Sequence, residues 1–186
     1  FVKNVLADGS IVARGITPAD LSQLPDSSTD YATAVAKNTK AITTYNKKKA
    51  QTLWAEGLKE VGTKTVDVEL LGDDVDAVKA TQEYLQGALQ ENLPGLKISI
   101  ASVPAKNRQQ RAATHDFDMV LSTWGADYPD PNTYLDLFTS NSEYNHGQWQ
   151  NADYDKLMAK SNGADANNPT ARFKDMTEAE QLLVNQ

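Results

Sequence analysis

The feature that most constrains this chain lies between residues 65 and 123, where the period of the apolar residues switches back and forth. Val66, Val68 and Leu70 alternate with polar neighbours, the two-residue period of a strand. Val75, Val78, Gln82, Leu85 and Leu89 then fall on one helix face, running to about Asn92. After the Pro94-Gly95 break, Leu96, Ile98 and Ile100 alternate again. Residues 105–114 are polar and helical, with Arg108 and Arg111 expected to point outward, and residues 117–123 read as a third, buried strand. The order strand–helix–strand–helix–strand requires crossover connections, and hence a largely parallel sheet.

The flanks are helical or irregular. Ala50, Leu53, Trp54, Gly57, Leu58 and Val61 form one continuous stripe on a helix over residues 46–61, stopped by Gly62. The Lys47-Lys48-Lys49 run at its start reads as a solvated face. Gly72-Asp73-Asp74 reads as a turn. Downstream, Asp130 and Pro131 suit the cap and first turn of a short helix over 132–138, and Asn151 caps a helix over 152–161. The last helix, 170–184, places Phe173, Met176, Ala179 and Leu183 on one side. Residues 1–45 read as an irregular lead-in, with one short helix opened by Thr17 and Pro18 and ended at Pro25-Asp26-Ser27-Ser28. The expected organisation is therefore a lead-in over 1–45 and an α/β lobe over 46–186. The start at Phe1 and the unstopped apolar pattern at the far end suggest an excerpt of a longer protein.

Composition narrows the function classes. A net charge of −7 with no basic stripe argues against a nucleic-acid partner. The absence of cysteine excludes disulfides, thiolate metal sites and a cysteine nucleophile, and suits an exported bacterial protein. His115 and His146 lie far apart without partners at ligand spacing, so neither a metal site nor a Ser-His-Asp arrangement is expected. No glycine loop suited to cradling a phosphate is present, and no cofactor is expected.

What chemistry there is concentrates in Thr123-Trp124-Gly125-Ala126-Asp127-Tyr128-Pro129-Asp130-Pro131, just past the third strand. A carboxylate set among aromatics beyond a strand end is well placed to hold a positively charged ligand group. Two blander readings stand beside it: Asp127 as a turn residue satisfying backbone N–H groups, and Trp124, Tyr128 and Tyr134 as ordinary core. Asp127 and Asp130 also invite a glycoside-hydrolase reading, which their closeness in one loop disfavours.

This loop, with the strand Phe117-Asp118-Met119-Val120-Leu121 before it and Asp130-Pro131-Asn132-Thr133-Tyr134-Leu135 after it, resembles the extracellular solute-binding proteins of oligopeptide ABC transporters (family 5, peptide/nickel-binding type). Tyr144-Asn145, Trp149, the run Asn151-Ala152-Asp153-Tyr154-Asp155-Lys156-Leu157 and the helix Ala50-Gln51-Thr52-Leu53-Trp54-Ala55-Glu56-Gly57 carry the likeness further, from about Tyr45 to the end. The resemblance implies a periplasmic-binding-protein-like α/β lobe, mostly parallel sheet flanked by helices. It would be most of a second lobe, with the first lobe and the last strands outside this sequence. It implies a non-enzymatic receptor that holds an oligopeptide between two lobes and delivers it to ABC permease subunits. The protein would be extracellular, lipid-anchored at a Gram-positive cell surface or periplasmic. By resemblance, Asp127 pairs with the peptide α-ammonium group, the backbone around Thr123, Trp124 and Gly125 pairs with the peptide main chain, and Tyr128 lines the site. The family's arginine before the loop, which can meet a short peptide's carboxylate, has no counterpart near Leu121. A peptide-sensing surface receptor of the same fold is the alternative.

Overall fold

The computed structural model describes residues 1–25 and 27–186. Its α-helices and strands are, in order, α1 (Tyr31–Thr43), α2 (Lys47–Glu60), β1 (Val66–Asp73), α3 (Asp76–Asn92), β2 (Leu96–Val103), α4 (Ala105–Ala113), β3 (Met119–Val120), α5 (Asn132–Leu135), α6 (Ala152–Asn162) and α7 (Pro169–Asn185), with a π-helical turn at Val2–Leu6 and a 3-10 turn at Asp136–Phe138. They form two compact units that interleave in sequence: unit 1 is Phe1–Ile11 with Tyr45–Thr123, and unit 2 is Val12–Thr44 with Trp124–Gln186.

Unit 1 is the expected parallel α/β unit, with strand order β2-β1-β3. β1 and β2 pair in parallel from Val66 opposite Leu96 to Asp73 opposite Val103. β3 pairs on the other side of β1, with Met119 opposite Leu70 and Val120 opposite Leu71. Gly72 and Asp73 thus belong to β1 rather than to a turn. Glycine is needed at 72 because a Cβ there would lie 2.8 Å from both Gln82 Nε2 and Val78 Cγ1. The third strand is much shorter than residues 117–123. At its start the Asp118 carboxylate accepts the Glu69 N–H at 2.8 Å, a side chain standing in for the ladder, and after the Leu121 N–H to Leu71 oxygen bond Ser122 and Thr123 are exposed.

The polar position in the α3 stripe has a clear cause. Gln82 is fully buried and donates to the carbonyls of Leu70 (2.8 Å) and Ala101 (3.2 Å) while accepting from Ser102 Oγ. One and two turns on, Gln86 donates to the Ile98 carbonyl and Gln90 accepts the Ile98 N–H, both at 2.7 Å. The Gln86 and Gln90 amides thus pair both main-chain polar groups of Ile98, on the strand at the edge of the sheet.

Two further expectations fail in unit 1. Arg108 does not point outward: it is buried, and its guanidinium grips Asp73 through Nε (2.9 Å) and Nη2 (3.2 Å). Arg111 is half-buried between Glu69 and Asp116. The charge of the β1 end and of its neighbours draws both arginines onto the sheet. The α2 stripe is also not core. Leu53 and Val61 are exposed, and α2 is attached through Trp54 Nε1 to the Pro94 carbonyl (2.8 Å) and Gln51 to the Asn92 carbonyl (3.1 Å).

Unit 2 is helical. Tyr31, Val35, Leu135, Tyr154, Met158, Met176 and Ala179 form its core. Asn151 caps α6 as expected, accepting from the Asp153 and Tyr154 N–H groups. α1 corrects the irregular reading of residues 1–45. Its buried face is Tyr31, Val35 and Thr39, spaced by four; the threonine in that face hides the period. Thr17 opens no helix. Its N–H and hydroxyl both go to the carboxylate of Glu180, which also takes the Ile16 N–H. The proposed end of that helix includes Asp26, outside the described residues.

Candidate ligand-binding site

The loop that leaves unit 1 at Thr123 enters unit 2 and folds onto α5. The Asp127 N–H donates to Thr133 Oγ1 at 3.2 Å, and the Tyr134 hydroxyl donates to the Trp124 carbonyl at 3.4 Å. Asp130 fixes the far end of the loop. Its carboxylate accepts the Asn132 N–H at 2.9 Å and holds both Nη atoms of Arg172, at 2.6 and 2.9 Å. That pairing raises the guanidinium pKa above its ordinary value, the hydrogen bond to Asp130 being the main cause. Asp130 therefore does bond the helix start, and α5 begins at Asn132 as expected, with Pro131 as the residue flanking it. Being held by Arg172, it has no freedom to act as a catalytic partner to Asp127.

The result is a concavity of about 350 Å³ in unit 2. Trp124, Asp127, Tyr128, Asn132, Thr133, Asp136, Leu137, Ser142, Glu143 and Tyr144 line it. Trp124 and Tyr144 meet with ring centroids 4.9 Å apart and planes at 62°, an edge-to-face pair. Trp124, Tyr128 and Tyr144 are 37%, 45% and 49% exposed, so these rings are wall rather than core. Asn132 is buried beneath them, and its amide donates to the Tyr128 hydroxyl (3.3 Å) and to Asp136. Asn162 donates to the other Asp136 oxygen at 3.3 Å. The Asp127 side chain is exposed, and its carboxylate has no hydrogen bond or ion pair with any described residue.

Of the five residues singled out from the sequence, Trp124, Asp127 and Tyr128 come together here. Thr123 stands at the end of unit 1, and Gly125 is exposed with nothing within 4 Å of a Cβ; neither lines the concavity. Tyr134 supports the loop from outside it. Asn132, Asp136, Glu143 and Tyr144 were not foreseen. The Asn132–Asp136 spacing of four in a short helix is the one local signal that could have suggested a pair. Among the described residues, no group of three or more His, Cys, Asp or Glu is placed to hold a metal ion, and no helix is long and apolar enough to cross a membrane.

A parallel α/β unit, and a carboxylate-and-aromatic cleft entered from the loop after its last strand, define a binding-protein lobe of the periplasmic-binding-protein fold. The model for "Bacterial extracellular solute-binding proteins, family 5 Middle" matches residues 1–146, and the chain belongs to that family. It is 40% identical over 148 residues to the dipeptide-binding protein of Lactococcus lactis subsp. cremoris strain MG1363, covering 79% of this chain and 26% of that protein. A crystal structure of a peptide-binding protein of a peptide ABC transporter superposes with a TM-score of 0.91 at 37% identity, covering 98% of this chain and 79% of the other. Listeria monocytogenes OppA bound to peptide superposes with a TM-score of 0.86 at 35% identity, covering 96% and 33%. The chain thus spans about a quarter of the length of the curated relative.

Proposed function

We propose that the protein of which this chain is part captures peptides outside the cell for import, with Asp127 receiving the peptide's α-ammonium group. The observation that carries this reading is the Asp127 carboxylate, exposed in an aromatic-walled concavity with no hydrogen bond or ion pair among the described residues. A carboxylate kept free of internal donors has its full acceptor capacity for an incoming cation. The backbone of Thr123, Trp124 and Gly125 pairs with the peptide main chain as an added strand would. Such pairing is blind to side chains, so many sequences bind, while the ion pair sets register and direction. Ligand contacts from both lobes of the whole receptor favour its closed state, which ABC permease subunits then recognise. The protein works outside the cell, at a Gram-positive surface on a lipid anchor or in a periplasm, and performs no chemistry on its ligand. Family membership and the peptide-binding names of the relatives support this reading.

The test is calorimetry of the full-length receptor with tri- to octapeptides. Asp127→Asn is expected to weaken binding by roughly 2–5 kcal/mol, the range for removing one partner of a buried charge pair. N-acetylation of the peptide should cost as much with the unaltered receptor and little more with the variant. Equal affinity for free and acetylated peptides would remove Asp127 from the proposed role.

A further inference from the structure

Resting on that reading of Asp127, we infer that the concavity selects peptides whose first residue carries a cationic side chain, lysine or arginine. The α-ammonium group and the first side chain leave the same α-carbon. A site that holds the amine at Asp127 therefore has the first side chain as its nearest further occupant. What remains of the concavity is built for a positive group on an apolar stem. Trp124, Tyr128 and Tyr144 give three partly exposed ring surfaces, which suit both methylene packing and contact with a cation. Asp136 and Glu143 supply two more carboxylates, while no lysine or arginine lines the space.

Asp136 is oriented rather than neutralised. Its two oxygens take amide donors from Asn132 and Asn162, both uncharged, and it forms no direct ion pair with any described residue; the Arg172 guanidinium, bound to Asp130, acts on it only through space. Asp130, six residues earlier, shows the contrast: it holds Arg172 directly. The wall thus carries the carboxylates of Asp127, Asp136 and Glu143 with no cationic side chain among its lining residues. One α-ammonium group balances Asp127 alone; a second positive charge on the first residue answers the rest. An acidic first side chain would meet like charge on two sides, and a neutral one would desolvate Asp136 and Glu143 without return.

The experiment is isothermal titration of the full-length receptor with four peptides of one length: Lys-Ala-Ala-Ala, norleucine-Ala-Ala-Ala, Glu-Ala-Ala-Ala and acetylated Lys-Ala-Ala-Ala. Norleucine keeps the stem of lysine and drops the charge. The lysine peptide is expected to bind about tenfold or more tightly than the norleucine peptide, and the glutamate peptide more weakly than either. Glu143→Gln should reduce the lysine-to-norleucine ratio severalfold, with Asp136→Asn as a second variant acting in the same direction. Glu143 is exposed, so its substitution does not threaten the fold. If lysine and norleucine peptides bind equally, or if Glu143→Gln leaves their ratio unchanged, the selectivity is refuted while the assignment of Asp127 stands. If the acetylated peptide binds as well as the free one, the assignment of Asp127 fails, and the selectivity built on it fails with it.

Discussion

The buried carboxylate of Glu180 offers the sharpest test of how unit 2 is held together. Glu180 is fully buried on α7 and accepts three hydrogen bonds from residues more than 160 positions earlier: the Ile16 N–H at 2.6 Å, the Thr17 N–H at 2.9 Å and the Thr17 hydroxyl at 2.6 Å. The approach is so close that a Cβ on Gly15 would run into Glu180 Oε1. Glu180→Ala removes the acceptor and leaves the N–H and hydroxyl of buried Thr17 without partners, besides opening a cavity. Hydrogen bonds to a charged group contribute about 1.5–3 kcal/mol each, but three on one carboxylate are not independent, so a total loss of roughly 3–5 kcal/mol is expected. Glu180→Gln keeps one oxygen for the two N–H groups, and the Thr17 hydroxyl can turn to accept from the new amide. Its cost should be about 1–2 kcal/mol. Urea denaturation read by near-ultraviolet circular dichroism measures both, and native-state hydrogen exchange at Ile16 and Thr17 reports the local effect. If alanine costs no more than glutamine, or if exchange at those two amides is unaffected, the carboxylate is not what ties this segment to α7.

Two further outcomes concern the packing of unit 2 and of unit 1 in turn. Burial, reinforced by the nearby Glu180 charge, pushes the Tyr31 and Tyr154 hydroxyls far above the ordinary tyrosine value near 10. Raised folded values mean that the stability contribution is whole below about pH 10 and is lost as the pH rises further, when the unfolded chain ionises first. Tyrosinate absorbance should therefore show these two rings ionising only together with alkaline unfolding; early, reversible ionisation of all seven tyrosines would contradict it. Gly72→Ala, whose Cβ would crowd Val78 and Gln82, should cost about 1–3 kcal/mol in the same denaturation assay, and a neutral result would mean that α3 yields easily.

Much of unit 1 was legible because its periods are local. Alternation at Val66, Val68 and Leu70 and at Leu96, Ile98 and Ile100, with helix spacing between them, suffices to require a parallel crossover sheet. Asp127, Trp124 and Tyr128 were legible for a similar reason, since one short loop carries all three and its pattern matches a family. What the local pattern could not reveal is where polar residues find partners. Arg108 reads as a solvent-facing helix residue until Asp73, 35 positions earlier, is brought beneath it. Thr17 reads as a cap until Glu180 claims it, and Thr39 breaks a stripe that only Tyr31 and Val35 at its side complete.

The succession of strands and helices, and a carboxylate among aromatics after the third strand, are written in neighbouring residues and can be read along the chain. Only the folded chain brings Arg172 to Asp130, leaves the Asp127 carboxylate without a partner among the described residues, and gathers Asp136, Glu143 and Tyr144 with it around one hollow. Charge pairing and burial depend on distances through space, and nothing in the order of residues along the chain carries them.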